Sequence, residues 1–395
     1  MTPAARIQTA IEILDRVVGG VPAEQALTQW ARASRFAGSG DRLAVRDHVY
    51  DALRHLRSYT ALAGGSVPGG RFAMLGSLKA TGIEPASLFT GQGYAPLPMN
   101  EAEHAAMLRV PDPAALPDAV ALDYPDWLET PLRDSLGQDF SAVMQAMQQR
   151  APVILRVHAR RSTREGAGVS LAKEGIATTP HSLSMTALEV IDNERKVAKS
   201  GAYLSGLIEL QDAAPQAAVE ALPLRSGMRV LDYCAGGGGK VLAMAALVDA
   251  QFVAHDAAPA RMRDLPDRAR RAKASVRIVE TDKLGDEPAF DLVLTDVPCS
   301  GTGTWRRGPD AKWTLTADRL AELQKIQAAI LDAAADCVSA NGYLAYMTCS
   351  LLKGENLDQI TGFLERKPGW KLLGERLFTP LEGGDGFYSA LLTRG

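Results

Sequence analysis

From about residue 227 the chain repeats one pattern, a short apolar strand, a turn and a helix, and no other feature limits the possible folds as strongly. The apolar runs are Met228 to Leu231, Phe252 to His255, Val276 to Val279, Asp291 to Thr295 and Tyr343 to Met347. Strands separated by helical crossovers pair in parallel, with helices on both faces, so an α/β domain built on a mostly parallel, doubly wound sheet is expected. The clearest helix runs over 317–339, with Leu320, Leu323, Ile326, Ile330, Ala334 and Val338 at three-to-four spacing and Asn341-Gly342 to end it. Cys337 would lie inside this helix as a core residue.

The first 60 residues are patterned differently. Ile7, Ala10, Ile11, Leu14 and Val17, then Ala26, Leu27 and Trp30, then Val45, Val49, Leu53 and Leu56 each mark one face of a helix, and nothing there alternates like a strand. Arg32, Arg35, Arg42, Arg46, Arg54 and Arg57 lie on these helices and read either as a phosphate-contacting face or as a solvated surface. A connector rich in Pro, Ala and Asp is expected over 110–125, then a strand at Val153 to Val157. The span Arg150 to Arg164 holds five Arg and no acid, and is open to an RNA-backbone role or a solvated loop. The chain divides into a helical domain over 1–135, a small α/β domain over 136–210 and a catalytic domain over 211–395.

Lys and Arg number 43 against 46 Asp and Glu, a net charge of -3, which excludes a uniformly basic coat and leaves local patches for any nucleic acid. No apolar run approaches the roughly 18 residues of a membrane span. Arg6, Glu12, Asp15 and Arg16 stand where a signal peptide needs apolar residues, so a soluble, cytoplasmic protein is expected. Four cysteines, Cys234, Cys299, Cys337 and Cys349, lie too far apart for a disulfide scaffold. No C-x-x-C pair offers a zinc site, so no metal is expected.

The first strand of the repeat runs into LDYCAGGGGK, residues 231–240. A phosphate-binding loop would need Gly where Cys234 stands and Ser or Thr where Val241 stands, and the dinucleotide fingerprint fails at Val241 too. What remains is a strand-ending acid, Asp232, a glycine loop, and a second acid, Asp256, ending the next strand, where ribose hydroxyls are commonly bound. A neutral or cationic nucleoside fits such a turn better than a pyrophosphate, and S-adenosylmethionine is the candidate cofactor. Asp282, after the third strand, is placed for the adenine end.

Two further strands end in TDVPCSGTGTWRRGPDAKW, residues 295–313, and MTCSLLKGEN, residues 347–356. Parallel strands deliver these ends to one rim, so Asp296, Cys299 and Cys349 can converge beside the glycine loop. Arg306, Arg307 and Lys312 follow as candidate phosphate contacts.

These segments resemble the RNA cytosine-5 methyltransferases of the Sun/RsmB type. That family shows Asp-x-Cys-Ala-x-Pro-Gly-Gly-Lys, Asp-x-Pro-Cys-Ser-Gly-x-Gly, and Thr-Cys-Ser followed by Glu-Asn, and this chain has all three in order. Gln211-Asp212 and Asp385-Gly386-Phe387-Tyr388 also match. The departure is Gly236-Gly237 where the family has Ala-Pro. The resemblance implies a Rossmann-like class I S-adenosylmethionine-dependent methyltransferase sheet and, from DRLAVRDHVYDALRHLR over 41–57, a NusB-like helical RNA-binding domain. It implies Cys349 as nucleophile, Cys299 in adduct breakdown, Asp296 at the cytosine edge and Lys240 as a positioning group. The cofactor would meet Cys234, Ala235, Gly236, Gly237, Gly238, Gly239, Lys240, Asp256, Arg261, Asp282 and Asp296.

The implied substrate is RNA, with small-subunit rRNA ahead of tRNA, and neither a membrane nor an obligate protein partner is inferred. A DNA cytosine-5 enzyme would use the Pro-Cys thiol as nucleophile and lack the Thr-Cys-Ser strand. An amino-group methyltransferase would more often carry Asp-Pro-Pro-aromatic at 296–299. A non-catalytic RNA-binding assembly factor on the same fold would not need both cysteines with Asp296 and Lys240.

Overall fold

The computed structural model describes residues 1–109 and 116–394, so the first part of the expected connector, 110–115, lies outside the described residues. The chain forms two compact units, Met1–Arg150 with Thr304–Thr316, and Ala151–Gly303 with Ala317–Gly395. This differs from the three-way division by sequence, because the small sheet packs with the large one while a short segment after the Cys299 motif packs with the helices.

The first unit is helical. Its opening helices are Pro3–Val18, Ala23–Ala33, Ser39–Arg54, Leu56–Leu62 and Gly70–Ala80. Thr2 caps the first by accepting from Ala5 N at 3.2 Å, with Pro3 in the position where its missing N–H costs nothing. Ile7, Ile11, Leu14, Val45, Val49 and Leu53 face one core. Gly76 lets two helices touch at the backbone, since a Cβ there would lie 2.0 Å from Tyr59 O. The segment 304–316 docks onto Ser39–Arg54, with Trp313 Nε1 donating to Leu53 O at 2.8 Å and Lys312 Nζ to Arg54 O at 3.0 Å. Lys312 and Arg306 are buried, at 1% and 6% exposure, which corrects the expectation that they meet phosphate.

In the second unit, strands β1 (Val153–Val157), β2 (Ala177–Pro180), β3 (Ala187–Asp192) and β4 (Ile208–Leu210) form an antiparallel sheet in the order β2-β3-β1-β4. Much of the Arg150 to Arg164 run is structural rather than a phosphate surface. Arg160 donates to Ala245 O and Val248 O, Arg161 to Ser205 O and Gly206 O, and Arg164 to His181 O and Ser184 O. Arg156 is itself buried. A guanidinium offers five donors in a planar fork, which suits it to bridging chain segments whose carbonyls would otherwise lack partners.

The larger sheet contains β5 (Arg229–Asp232), β6 (Gln251–Ala254), β7 (Val276–Ile278), β8 (Phe290–Asp296), β9 (Val338–Thr348), β10 (Trp370–Phe378) and β11 (Phe387–Arg394). Its order is β10-β11-β9-β8-β5-β6-β7, parallel except at β11 and β10. This is the Rossmann-like class I methyltransferase arrangement. Val230, Leu292, Leu294, Ala345 and Met347 enter the core on one face, while Leu231, Val253, Val293, Leu344 and Tyr346 enter the core on the other. Burial on both faces explains why these strands read as unbroken apolar runs. Asp232 pairs with Ala254 and Leu294, and Asp296 with Met347, so the four strand ends share one rim.

The helix expected over 317–339 ends at Asp336, and the chain enters β9 at Val338, which pairs with Phe290. Cys337 therefore sits half-buried between helix and strand. Val338 satisfies a helical stripe and a β-strand equally well, and its pairing decides. Among the described residues no helix is long and apolar enough to cross a membrane.

Candidate active site

At the end of β5 the chain turns through the glycine loop into the helix Gly239–Leu247. Asp232 closes the turn, its Oδ2 accepting from Val241 N at 3.0 Å. Gly236 and Gly238 have φ of +48° and +82°, and a Cβ on Gly238 would lie 2.3 Å from Leu265 Cδ1. Ala235 O accepts from Gly238 N at 2.8 Å and Ala235 N donates to His255 O at 2.8 Å, tying the loop to the end of β6. Beside it Asp256, buried, accepts from Gly236 N at 3.0 Å and Ala258 N at 2.9 Å, with Arg261 Nη1 3.5 Å from Oδ2.

This loop fits a cationic nucleoside. Asp232 Oδ1 is buried without a partner, and each Asp256 oxygen keeps a lone pair beyond its amide bond. Burial, and then the neighbouring Asp296, push the Asp232 carboxyl up to about 7. Burial likewise pushes the Cys234 thiol up. Asp282 is exposed in the turn Thr281–Asp286, and no hydrogen bond or ion pair joins it to the loop among the described residues.

Lys240, the second residue of the helix, reaches across to β8. Its Nζ lies 2.5 Å from Asp296 Oδ2 and 5.1 Å from the centre of the Phe387 ring. Burial alone would lower the Lys240 ammonium, but Asp296 more than offsets this, with Cys349 adding to the effect, and the net shift is upward. A fixed positive charge is thus held at the rim.

The two cysteines meet there. Cys299 Sγ lies 3.2 Å from Cys349 Sγ, and Gly303 N donates to Cys349 O at 2.9 Å. The hydrogen bond with Cys349, and then burial, hold the Cys299 thiol well above its ordinary range. Beneath them is a group that sequence reasoning saw only as a motif letter. Glu355, fully buried, accepts from Ser300 N at 2.9 Å, Gln327 Nε2 at 2.9 Å, and the hydroxyls of Ser300 and Ser350 at 2.5 Å each. Asn356 completes the layer, with Oδ1 accepting from Thr348 Oγ1 at 2.6 Å and Nδ2 donating to Ser350 O at 2.9 Å. Ser300 and Ser350 tie both cysteine loops to one carboxylate.

Comparisons with known proteins identify the family. A family model described as 16S rRNA methyltransferase RsmB/F matches residues 219–392, and one for the RsmF/B-like ferredoxin-like domain matches 124–198. The ribosomal RNA small subunit methyltransferase B of Vibrio cholerae is 33% identical over 290 residues, 70% of this chain and 67% of the relative. That of Citrobacter koseri is 34% identical over 289 residues, 69% of this chain and 66% of the relative. In fold, the crystal structure of PH0851 is similar with a TM-score of 0.78 at 21% identity, covering 100% of this chain and 99% of that one. A methyltransferase homolog protein from Pyrococcus horikoshii gives 0.62 at 22% identity, covering 72% and 100%. The family model over 219–392 and the 33% identity across two thirds of the Vibrio cholerae relative together establish that this chain belongs to the RsmB/F family of S-adenosylmethionine-dependent methyltransferases.

Proposed function

We propose that the protein methylates carbon 5 of a cytosine in small-subunit ribosomal RNA, with Cys349 as nucleophile and Cys299 assisting release of the product. The observation that carries this is the 3.2 Å approach of the two thiols beside the Lys240–Asp296 pair. Carbon 5 of cytosine is a poor nucleophile until a thiolate adds at carbon 6. S-adenosylmethionine, when bound, supplies the electrophilic methyl group. Cys349 forms the bond to carbon 6, and Asp296 holds the cytosine edge near nitrogen 3. The Lys240 ammonium keeps Asp296 in place. After transfer the proton on carbon 5 goes to a base, the electron pair reforms the ring double bond, and Cys349 leaves as thiolate. The Cys299 thiol, held well above its ordinary range by the hydrogen bond with Cys349 and by burial, is the less suited of the two sulfurs to act as thiolate, which supports the assignment of the nucleophile to the other.

The substrate assignment rests on the names of the relatives and on the helical unit, where Arg32 and Arg35 are exposed beside Phe36, itself 77% exposed. The target base must be unpaired or flipped out. The protein would act in the cytoplasm, where its thiols stay reduced. Bisulfite mapping of rRNA and tRNA from a deletion strain tests the assignment. One small-subunit rRNA cytosine should lose its methyl group and regain it on complementation, whereas an unchanged rRNA profile with a lost tRNA site contradicts the rRNA assignment.

A further inference from the structure

The glycine loop departs from the family pattern at Gly236-Gly237, where Ala-Pro is usual. Proline fixes its own φ, whereas glycine leaves the loop with more conformations to lose when it closes on a ligand. The loop's carbonyls are held instead by two arginines from elsewhere in the same unit. Arg268, on the helix Leu265–Ala272, donates from Nη1 to Gly237 O at 2.5 Å. Arg156, on β1 and only 5% exposed, donates to Gly239 O at 2.9 Å and to Gln211 Oε1 at 2.5 Å, while Gln211 Nε2 also reaches Gly239 O at 3.2 Å. Glu209 orients the first arginine, its Oε2 lying 3.5 Å from Arg268 Nε and 2.5 Å from Arg271 Nη2.

The arginine and the glycine are sterically linked as well. A Cβ at position 237 would lie 3.0 Å from Arg268 Nη1, so a side chain there would crowd the guanidinium and push it by a few tenths of an ångström. Gly237 is not among the glycines with positive φ, so the backbone itself would accept a side chain.

We infer that Arg268 is a positioning residue for S-adenosylmethionine, holding the Gly237 carbonyl so that hydrogen bonding restrains the loop where the family relies on a proline ring, with Arg156 and Gln211 holding Gly239 behind it. This rests on the loop as the cofactor site and not on which base is methylated, so failure of the RNA assignment leaves it standing.

The test is a double-mutant cycle on the full-length chain, read by calorimetric titration with S-adenosylmethionine and with S-adenosylhomocysteine. Arg268→Ala is expected to weaken both by about tenfold while leaving affinity for RNA within twofold, a split that general unfolding would not give. Gly237→Ala is expected to weaken binding several-fold in the wild-type background, where the new Cβ crowds the guanidinium and strains its bond to the Gly237 carbonyl. In the Arg268→Ala background it is expected to strengthen binding at least threefold, by narrowing the open loop. Arg268→Lys retains the charge near Glu209 without the planar fork and is read in the same cycle if Arg268→Ala fails to fold. A loss below threefold on removing the guanidinium, or the same effect of Gly237→Ala in both backgrounds, overturns the inference.

Discussion

Ser300 and Ser350, the residues that directly follow the two cysteines, donate from their hydroxyls to one oxygen, Glu355 Oε2, at 2.5 Å each. The cysteine loops leave different strands, β8 and β9, and this shared acceptor ties them together.

Replacing Glu355 with Ala should therefore uncouple the loops. It leaves buried donors on Ser300, Ser350 and Gln327 without their partner, at a cost of about 3 to 5 kcal/mol. A matching fall in the urea midpoint is expected, with methyl transfer reduced by at least tenfold under conditions where the variant is folded. An unchanged midpoint would show that the carboxylate is not the tie described.

Asp232 gives a signed pH dependence. Its carboxyl is raised from 3.8 to about 7 in the folded chain, so the folded state keeps a proton that the unfolded state has released. Its contribution to stability is full below pH 3.8, declines as pH rises toward about 7, and is constant above that. Asp232→Asn should remove this segment of the stability profile, so its urea midpoint should gain on wild type between pH 5 and pH 8. Parallel profiles over that range would contradict the assignment.

Arg161 lies in the most basic stretch of the chain, yet it donates to Ser205 O at 2.9 Å and Gly206 O at 3.0 Å. Arg161→Ala should lower stability by about 1 to 2 kcal/mol. It should leave unchanged the slope of log affinity for RNA against log salt, because a residue that touches no phosphate releases no counterion. A slope reduced by nearly one would make it a phosphate contact instead.

How much of this could be read in the sequence depended on whether the partners were local. The parallel strands were legible because both faces are buried, and their ends brought Asp232, Asp256, Asp296 and the two cysteines to one rim as expected from sheet geometry alone. The glycine loop was legible by what it excluded. Arg160 and Arg161 were misread because their acceptors lie far along the chain, Val248 O and Ser205 O among them, and no local pattern marks a carbonyl awaiting a guanidinium. Lys312 and Arg306 were misread for the same reason. They follow the Cys299 motif in sequence but pack into the helical unit, where burial pushes the Lys312 ammonium down to about 8. Glu355 was visible as part of Glu-Asn, but its partners on Ser300, Gln327 and Ser350 emerge only when three segments come together.

Incubating RNA, S-adenosylmethionine and each cysteine variant, then resolving the products on a denaturing gel, tests the proposed chemistry most directly. Cys349→Ser should give neither methyl transfer nor a covalent band. Cys299→Ser should accumulate a protein–RNA adduct, because the bond to carbon 6 forms but its breakdown is slowed. An adduct retained by Cys349→Ser and lost in Cys299→Ser would contradict the account by reversing the two roles.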